Sequence, residues 1–485
     1  ILLVWAIETI GLLLLDDWLP GLKLATGETA ILAVAVIGLL NAILRPLILW
    51  LTITITVLTF GLFSFLFNVA VILLAARILP GFILQDGITA IWVVIGLTLI
   101  NLLTSHILLL DENDSYYRSV IPRMPASAAN KPAAPGMVII QIDGLSYAVL
   151  QEAVSRGYMP TVTRWLQINQ FLLKEWHCGL PSQTSACQVG ILYGHNEDIP
   201  AFRWYEKENH KLIISNHLSD TAWIEKRVSV FPGLLSNASS SISNMFSGGA
   251  QKSVITMSNL MEIRSLPRRS GYFYNFFVNP YNFTRIFFLM VQEFFRELFQ
   301  SFRQRVSNIQ PRVRRSLLFA LERMISAVLL RELTTHLIIE DMFNGYQTIY
   351  ATYVGYDVVA HHTGTNSPAT MSVLRSLDKQ LERITRAAPD SARVYQFIFL
   401  SDHGQSQGHT FRQLYGITLE QFIGMLLAEN IEVVNSGSSL ETKGYVNSLL
   451  QTALAPHKRI NRTAQKLYQQ IKTDSDDFRY FDLPP

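Results

Sequence analysis

At 485 residues the chain exceeds one compact domain, and its composition is 49% hydrophobic and only 16% charged, with a mean hydropathy of +0.24. That balance excludes an ordinary wholly soluble protein and calls for a membrane portion. A net charge of +3 without a dense Lys/Arg block argues against a nucleic-acid partner, and two cysteines, Cys178 and Cys187, exclude a disulfide scaffold or a Cys-based zinc module.

The apolar residues are concentrated at the start. The opening "ILLVWAIETIGLLLL" reads as the remainder of one membrane span despite Glu8, and the lack of an initiator methionine marks the chain as an incomplete product. From Ala30 to Ala76 the only formal charge is Arg45, followed by Pro46. The run far exceeds the ~20 residues that one span needs, so two spans with a bend near "LRP" are expected. A further span fits Ile88 to Leu110. Residues 1–110 therefore read as a multi-pass α-helical membrane domain of about four spans.

A repeat runs through it. "LPGLKLATGETAI" (Leu19 to Ile31) returns sixty residues later as "LPGFILQDGITAI" (Leu79 to Ile91), and Asn41 recurs as Asn101. Two spans lie between the copies, which puts both Leu-Pro-Gly turns on one membrane face. The asparagines are expected at a helix–helix contact or near the interface. The stretches "GLLNAILRPLILWLT" and "NVAVILLAARILPGF" resemble the phage-holin-like family of small membrane proteins.

Residues 111–135, polar and then Pro/Ala-rich, read as a stiff solvated linker. From Met137 the pattern changes to strand-like runs alternating with amphipathic helical stretches, the signature of an α/β sheet over 136–485. Ligands of such sheets gather beyond the carboxyl ends of the strands. "MVIIQIDG" places Asp143 there, although Asp-Gly is also an ordinary turn pair. "LPSQTSACQVG" places Thr184 at a helix start, where free N–H groups favour an anion and where threonine is also a familiar N-cap.

Gly271 to Gly345 interrupts the rhythm with a helical insertion rich in Phe and Arg and free of lysine. Two accounts compete for it: a helix lying on the membrane surface, and, slightly preferred, a cap that packs its aromatics over the site. "TIYATYVGYDVVAHHTG" follows, with Asp357 and His361 four residues apart so that one helical turn aims both at a single point; His362 is easily confused with His361. "FIFLSDHG" ends a strand on Asp402 and His403. Carboxylate and imidazole donors suit zinc and similar divalent ions, and two ions about 4 Å apart can hold both oxygens of an in-line phosphoryl displacement.

The order "IDG", "PSQT", "DVVAH", "SDHG" resembles the type I phosphodiesterase/nucleotide pyrophosphatase branch of the alkaline phosphatase superfamily, from Met137 to the chain end. The resemblance implies an alkaline-phosphatase-like α/β fold and two divalent metal ions, zinc by preference. Asp143, Thr184, Asp402 and His403 would surround one ion and Asp357 and His361 the other, with Thr184 as the phosphorylated nucleophile.

This chain departs from the family pattern. Only His409 and His457 follow Asp-His-Gly where a further ligand histidine in a Gly-rich setting is usual, which leaves that ligand unassigned or beyond the chain end. "TSAC" replaces the nucleotide enzymes' Thr-Phe-Pro-Asn. Arg203 stands in the region of their later asparagine, either to grip phosphate or, preferably, as a salt-bridge residue. The expected activity is a membrane-anchored phosphodiesterase acting on a phosphoester, lipid-linked substrates included, with membrane lipids as partners. The alternatives are a phosphotransferase to a lipid or glycan acceptor and a non-catalytic holin-like membrane protein. Arg45, Arg118, Arg123 and Lys131 against Lys23 and Arg77 favour a cytoplasmic site, family habit favours the outside, and the side stays open, as does the oligomeric state.

Overall fold

A computed structural model describes residues 2–58, 62–107, 134–259, 280–309 and 315–427, with single positions at 116, 117, 121, 124 and 276. The chain divides into two compact units, residues 1–124 with 267–289 and residues 125–266 with 290–485. Most of the 111–135 linker lies outside the described residues.

In the first unit, α1 (Leu2–Trp18), β1 (Leu22–Leu24) and α2 (Gly27–Leu58) are followed by α3 (Leu62–Ile78), β2 (Phe82–Leu84) and α4 (Gly87–Ile107). α2 continues through Arg45 and Pro46 without ending there, and the next helix starts at Leu62. Proline removes one backbone donor, and a helix with long apolar arms on both sides tolerates that loss. Among the described residues one 18-residue window, Gly27–Leu44, is long and apolar enough to cross a bilayer, while Phe65–Ile78 and Gly87–Thr98 are apolar over shorter lengths.

The repeat folds as a repeat. β1 and β2 pair antiparallel with Lys23 opposite Ile83, and the flanking bonds from Ala25 N to Gly81 O and from Gln85 N to Gly21 O, both 2.9 Å, are equivalent under the sixty-residue offset. The antiparallel register puts the two Leu-Pro-Gly turns at opposite ends of this short ribbon, Gly21 beside Gln85 and Gly81 beside Ala25. The buried residues match in pairs too: Leu12 with Ile72, Leu22 with Phe82, Ala30 with Ala90, Ala33 with Val93 and Val34 with Val94.

The second unit opens with β3 (Gly136–Ile142), α5 (Tyr147–Ser155), α6 (Pro160–Gln167) and α7 (Thr184–Tyr193). A hairpin of β4 (Arg203–Glu206) and β5 (Lys211–Ile214), then α8 (Leu218–Val228), β6 (Ser239–Ile242) and β7 (Lys252–Val254), leads to the insertion. There α9 (Pro280–Val306), whose residues up to Leu289 belong to the first unit, α10 (Leu317–Met324), a π-helical turn at Ile325–Leu330 and α11 (Arg331–Phe343) follow. The unit continues with β8 (Thr348–Tyr353), α12 (Gly355–Thr363), α13 (Pro368–Ala387), β9 (Tyr395–Leu400) and two short helices, α14 (Phe411–Tyr415) and α15 (Leu419–Leu426).

Five strands form a parallel sheet in the order β7-β6-β8-β3-β9. β3 lies inside the sheet between β8 and β9, with Val138 and Ile140 fully buried and Ile139 and Ile142 nearly so, which is why it reads as an unbroken apolar run rather than an alternating one. Trp165 of α6 stacks on Phe399 of β9 at 5.2 Å, closing one face. The carboxyl ends of β8, β3 and β9 are adjacent, and neighbouring strands lie about 4.8 Å apart, so the three loops that leave them open onto one small volume. Phe295, Phe299 and Phe302 of α9 are exposed, so the described part of the insertion does not pack these aromatics over the site as a cap would.

Candidate active site

Asp143 is the first residue beyond β3, and its carboxylate is buried. Gly144 follows at φ +69°, and a Cβ there would lie 2.2 Å from Asp357 Oδ1. The glycine of "IDG" thus gives the backbone a left-handed turn and leaves room for a second carboxylate. Its N–H donates to Asp402 Oδ1 at 3.3 Å, joining the third aspartate to the same turn.

Thr184 is the first residue of α7. The N-cap is Gln183, whose side-chain oxygen accepts from Ser185 N at 2.8 Å. The threonine hydroxyl is left for other partners: it donates to Asp143 Oδ1 at 3.3 Å and lies 3.1 Å from His403 Nε2. Thr184 is 1% exposed, so its hydroxyl is held inside the site.

His403 Nε2 is 3.4 Å from Asp143 Oδ1 and 3.8 Å from Asp402 Oδ2, and Nδ1 donates to Gly404 O at 3.2 Å. On α12, Asp357 Oδ2 is 3.2 Å from His361 Nε2, and Asp357 Oδ1 accepts from Gln405 Nε2. His361 is mostly exposed at its outer side. His362 takes another role: its Nδ1 meets Val358 O at 3.1 Å and its ring stacks on Phe319 at 4.0 Å.

The electrostatics follow from placing three carboxylates in one buried volume. Burial, with the Asp402 and Asp357 charges added, pushes the Asp143 carboxyl well above the usual range, and burial carries Asp402 up to about 6. Burial also opposes a charged His403, but Asp402, Asp143 and Asp357 outweigh it and raise the imidazole to about 11. Asp357 is buried as well, yet its hydrogen bond to His361 and the two nearby imidazoles hold it below the ordinary value.

The donor set fits a cation. Asp143, Asp357 and His403 each offer a ligand atom within 4.8 Å of the others. Asp402 Oδ2 is buried without a hydrogen-bond partner, a costly state for a carboxylate oxygen that a metal ion would relieve. This trio draws on both groups that the sequence resemblance separated.

All six expected residues stand at this edge of the sheet. Arg203 opens β4 of the hairpin with its guanidinium 6.0 Å from the Phe202 ring. His409 is exposed on the stretch after β9, and His457 is outside the described residues. Sequence reasoning missed Gln405, the donor to Asp357; its place two residues after His403, on a loop already singled out, was the available signal. It also missed a polar floor beneath the site. Gln141 Oε1 accepts from Tyr350 OH at 2.6 Å and from Gln188 Nε2 at 3.2 Å, and Gln188 Oε1 accepts from Met245 N at 2.7 Å.

A parallel sheet whose carboxyl edge gathers three aspartates, two histidines and a helix-initiating threonine places the second unit among the alkaline-phosphatase-like α/β proteins. Residues 137–482 match the type I phosphodiesterase/nucleotide pyrophosphatase family, and the chain belongs to it. Residues 1–103 match the mycobacterial phage holins of four transmembrane segments, superfamily IV. The same end is similar to the uncharacterized membrane protein YvlD of Bacillus subtilis, 29% identical over 104 residues that cover 20% of this chain and 87% of the relative.

Proposed function

We propose that the chain is a membrane-anchored, metal-dependent phosphodiesterase that works through a phosphorylated Thr184. One observation carries the reading: a buried hydroxyl at a helix N-terminus, within 3.3 Å of Asp143 and 3.1 Å of His403, beside two further aspartates. Asp143, Thr184, Asp402 and His403 would hold one divalent ion and Asp357 and His361 the other, with zinc preferred for the mixed oxygen and imidazole donors. When bound, the ions supply Lewis-acid stabilisation of the phosphoryl oxygens and ease loss of the threonine proton.

The chain's own part is positional. Asp143 orients the hydroxyl, Gln183 caps the helix so that Thr184 need not, and the positive end of α7 favours the developing negative charge. Bond formation between Thr184 Oγ1 and phosphorus accompanies release of one ester oxygen as an alcohol. Water then cleaves the threonine ester; an alcohol in its place would make the chain a transferase. The substrate is a phosphoester within reach of the bilayer, with lipid-linked esters included, and four spans hold the first unit in the membrane.

The test is hydrolysis of bis(4-nitrophenyl) phosphate by the full chain in detergent with zinc or manganese. Thr184→Ala should lose turnover by orders of magnitude, Thr184→Ser should keep part of it, and Ser182→Ala should cost little. Mass analysis should find the covalent ester on residue 184. The holin-like match of residues 1–103 supports a second, non-catalytic reading. It takes precedence if the parent chain hydrolyses no phosphoester under these conditions.

A further inference from the structure

We propose that the face formed by α9 and α10 docks on the surface of an anionic lipid bilayer. Phe295, Phe299, Phe302 and Val306 are 61%, 64%, 64% and 68% exposed. At 100° per residue they fall within a stripe about 60° wide on α9. Arg303 and Arg305, both exposed, flank that stripe at about 80° to either side, the arrangement of a helix whose apolar edge enters a membrane interface while its cations reach the headgroups. Leu317, Leu318 and Leu321 of α10 are exposed as well.

Between the two helices lies a cavity of about 250 Å³, bordered by Phe302 and Leu317 on the apolar side and by Ser301, Arg305, Arg315 and Ser316 on the polar side. Its carboxylate, Glu297, is paired with Arg315 at 3.1 Å and Arg323 at 2.5 Å.

Charge decides between a bilayer and a second copy of the chain. From Met290 to Leu321 there are six arginines, two glutamates and no lysine. Arg315 is buried against Glu297 and Arg296 pairs with Glu293, while Arg303 and Arg305 stand exposed beside the apolar stripe; two such faces would repel each other, whereas an anionic leaflet attracts both arginines. The bilayer is also at hand, since residues 1–103 match a family of four transmembrane segments.

The test places the photo-reactive residue benzoylphenylalanine at position 299 or 302 of the full chain. The chain is reconstituted in vesicles of phosphatidylcholine with phosphatidylglycerol and a trace of fluorescent phospholipid. Position 231, where Phe231 is exposed on a loop, is the control. Light should yield lipid adducts at 299 and 302 and several-fold fewer at 231. In the same vesicles, Arg303→Glu and Arg305→Glu should each reduce the yield by about fivefold or more, as loss of roughly 1 kcal/mol per headgroup contact requires. Adducts to a second protein chain, no adducts, or equal yields at 231 overturn the proposal. None of these outcomes depends on catalysis, so failure here is distinct from failure of the phosphodiesterase reading.

Discussion

Replacing Gly144 with alanine separates the geometry of the site from the stability of the fold. The new Cβ would stand 2.2 Å from Asp357 Oδ1, 3.1 Å from its Cγ and 3.2 Å from its Cβ. A carbon and an oxygen need roughly 3.3 Å, so Asp357 must retreat by about 1 Å. Because Asp357 is also held by Gln405 and His361, its retreat disturbs the whole cluster. A displacement of that size costs about 100-fold in rate. The φ of +69° adds backbone strain of about 1–2 kcal/mol. Gly157 is the control, since it has φ +70° and nothing within 4 Å of an added Cβ. Both alanine variants should lose the stability that the shared φ strain costs, Gly144→Ala about 1–3 kcal/mol more from overpacking, and only Gly144→Ala should lose about 100-fold in bis(4-nitrophenyl) phosphate turnover. Equal turnover in the two variants would show that the closeness of Asp357 to the Asp-Gly turn has no catalytic consequence.

Three further outcomes follow from buried charge. Asp402→Asn should weaken metal binding by tenfold or more, which removes about 1.4 kcal/mol of zinc-dependent stabilisation at fixed metal; the melting shift with zinc against chelator measures it, and an unchanged shift refutes the assignment. Asp341→Ala removes the closest acid from Lys252, whose side chain is 3% exposed and lies 4.0 Å from Glu340, and should cost about 3–5 kcal/mol in denaturant unfolding; a loss below about 1 kcal/mol contradicts this. Burial, then the Lys252 charge, pushes the His336 imidazole down to about 3. The unfolded chain therefore binds the extra proton first, and stability present above about pH 6.5 should fall as pH drops towards 3. His336→Asn should flatten that limb of the stability curve, and an unchanged limb would assign the acid sensitivity elsewhere.

The legible features were those whose signal is local. Asp143 follows a buried parallel strand, and such strands are continuous apolar runs that end abruptly; Asp402 follows the edge strand β9, whose run "FIFL" is apolar although partly exposed. Asp357 and His361 share a helical turn, so a spacing of four sufficed. The sixty-residue repeat announced itself in "LPG" twice, and the β1–β2 pairing follows that symmetry. What sequence did not carry was set by tertiary contact. Proline suggested a bend at Arg45-Pro46, but helix continuity is decided by the apolar residues around it. Nothing near Gln188 marks it as a tie between α7 and the loop after β6, because its partners Gln141 and Met245 are 47 and 57 residues away in the chain. The aromatic insertion was ambiguous for the same reason: a stripe of phenylalanines looks alike whether it faces a site or a membrane.

The three aspartates show what this fold spends stability on. Each is buried, and they repel one another, so that Asp143 and Asp402 favour their neutral forms and His403 is driven towards its charged one. No packing benefit requires this arrangement, because apolar side chains at the same strand ends would be cheaper to bury. The surrounding contacts nevertheless hold it in place. Gly144 admits Asp357, the Gly144 N–H holds Asp402, and Gln183 frees the Thr184 hydroxyl from capping. A cation bound here would offset this cost, since it would satisfy the orphaned Asp402 oxygen and remove the mutual repulsion in one step. Metal binding and folding of this edge should therefore be linked, with the protons held by Asp143 and His403 released as the cation enters.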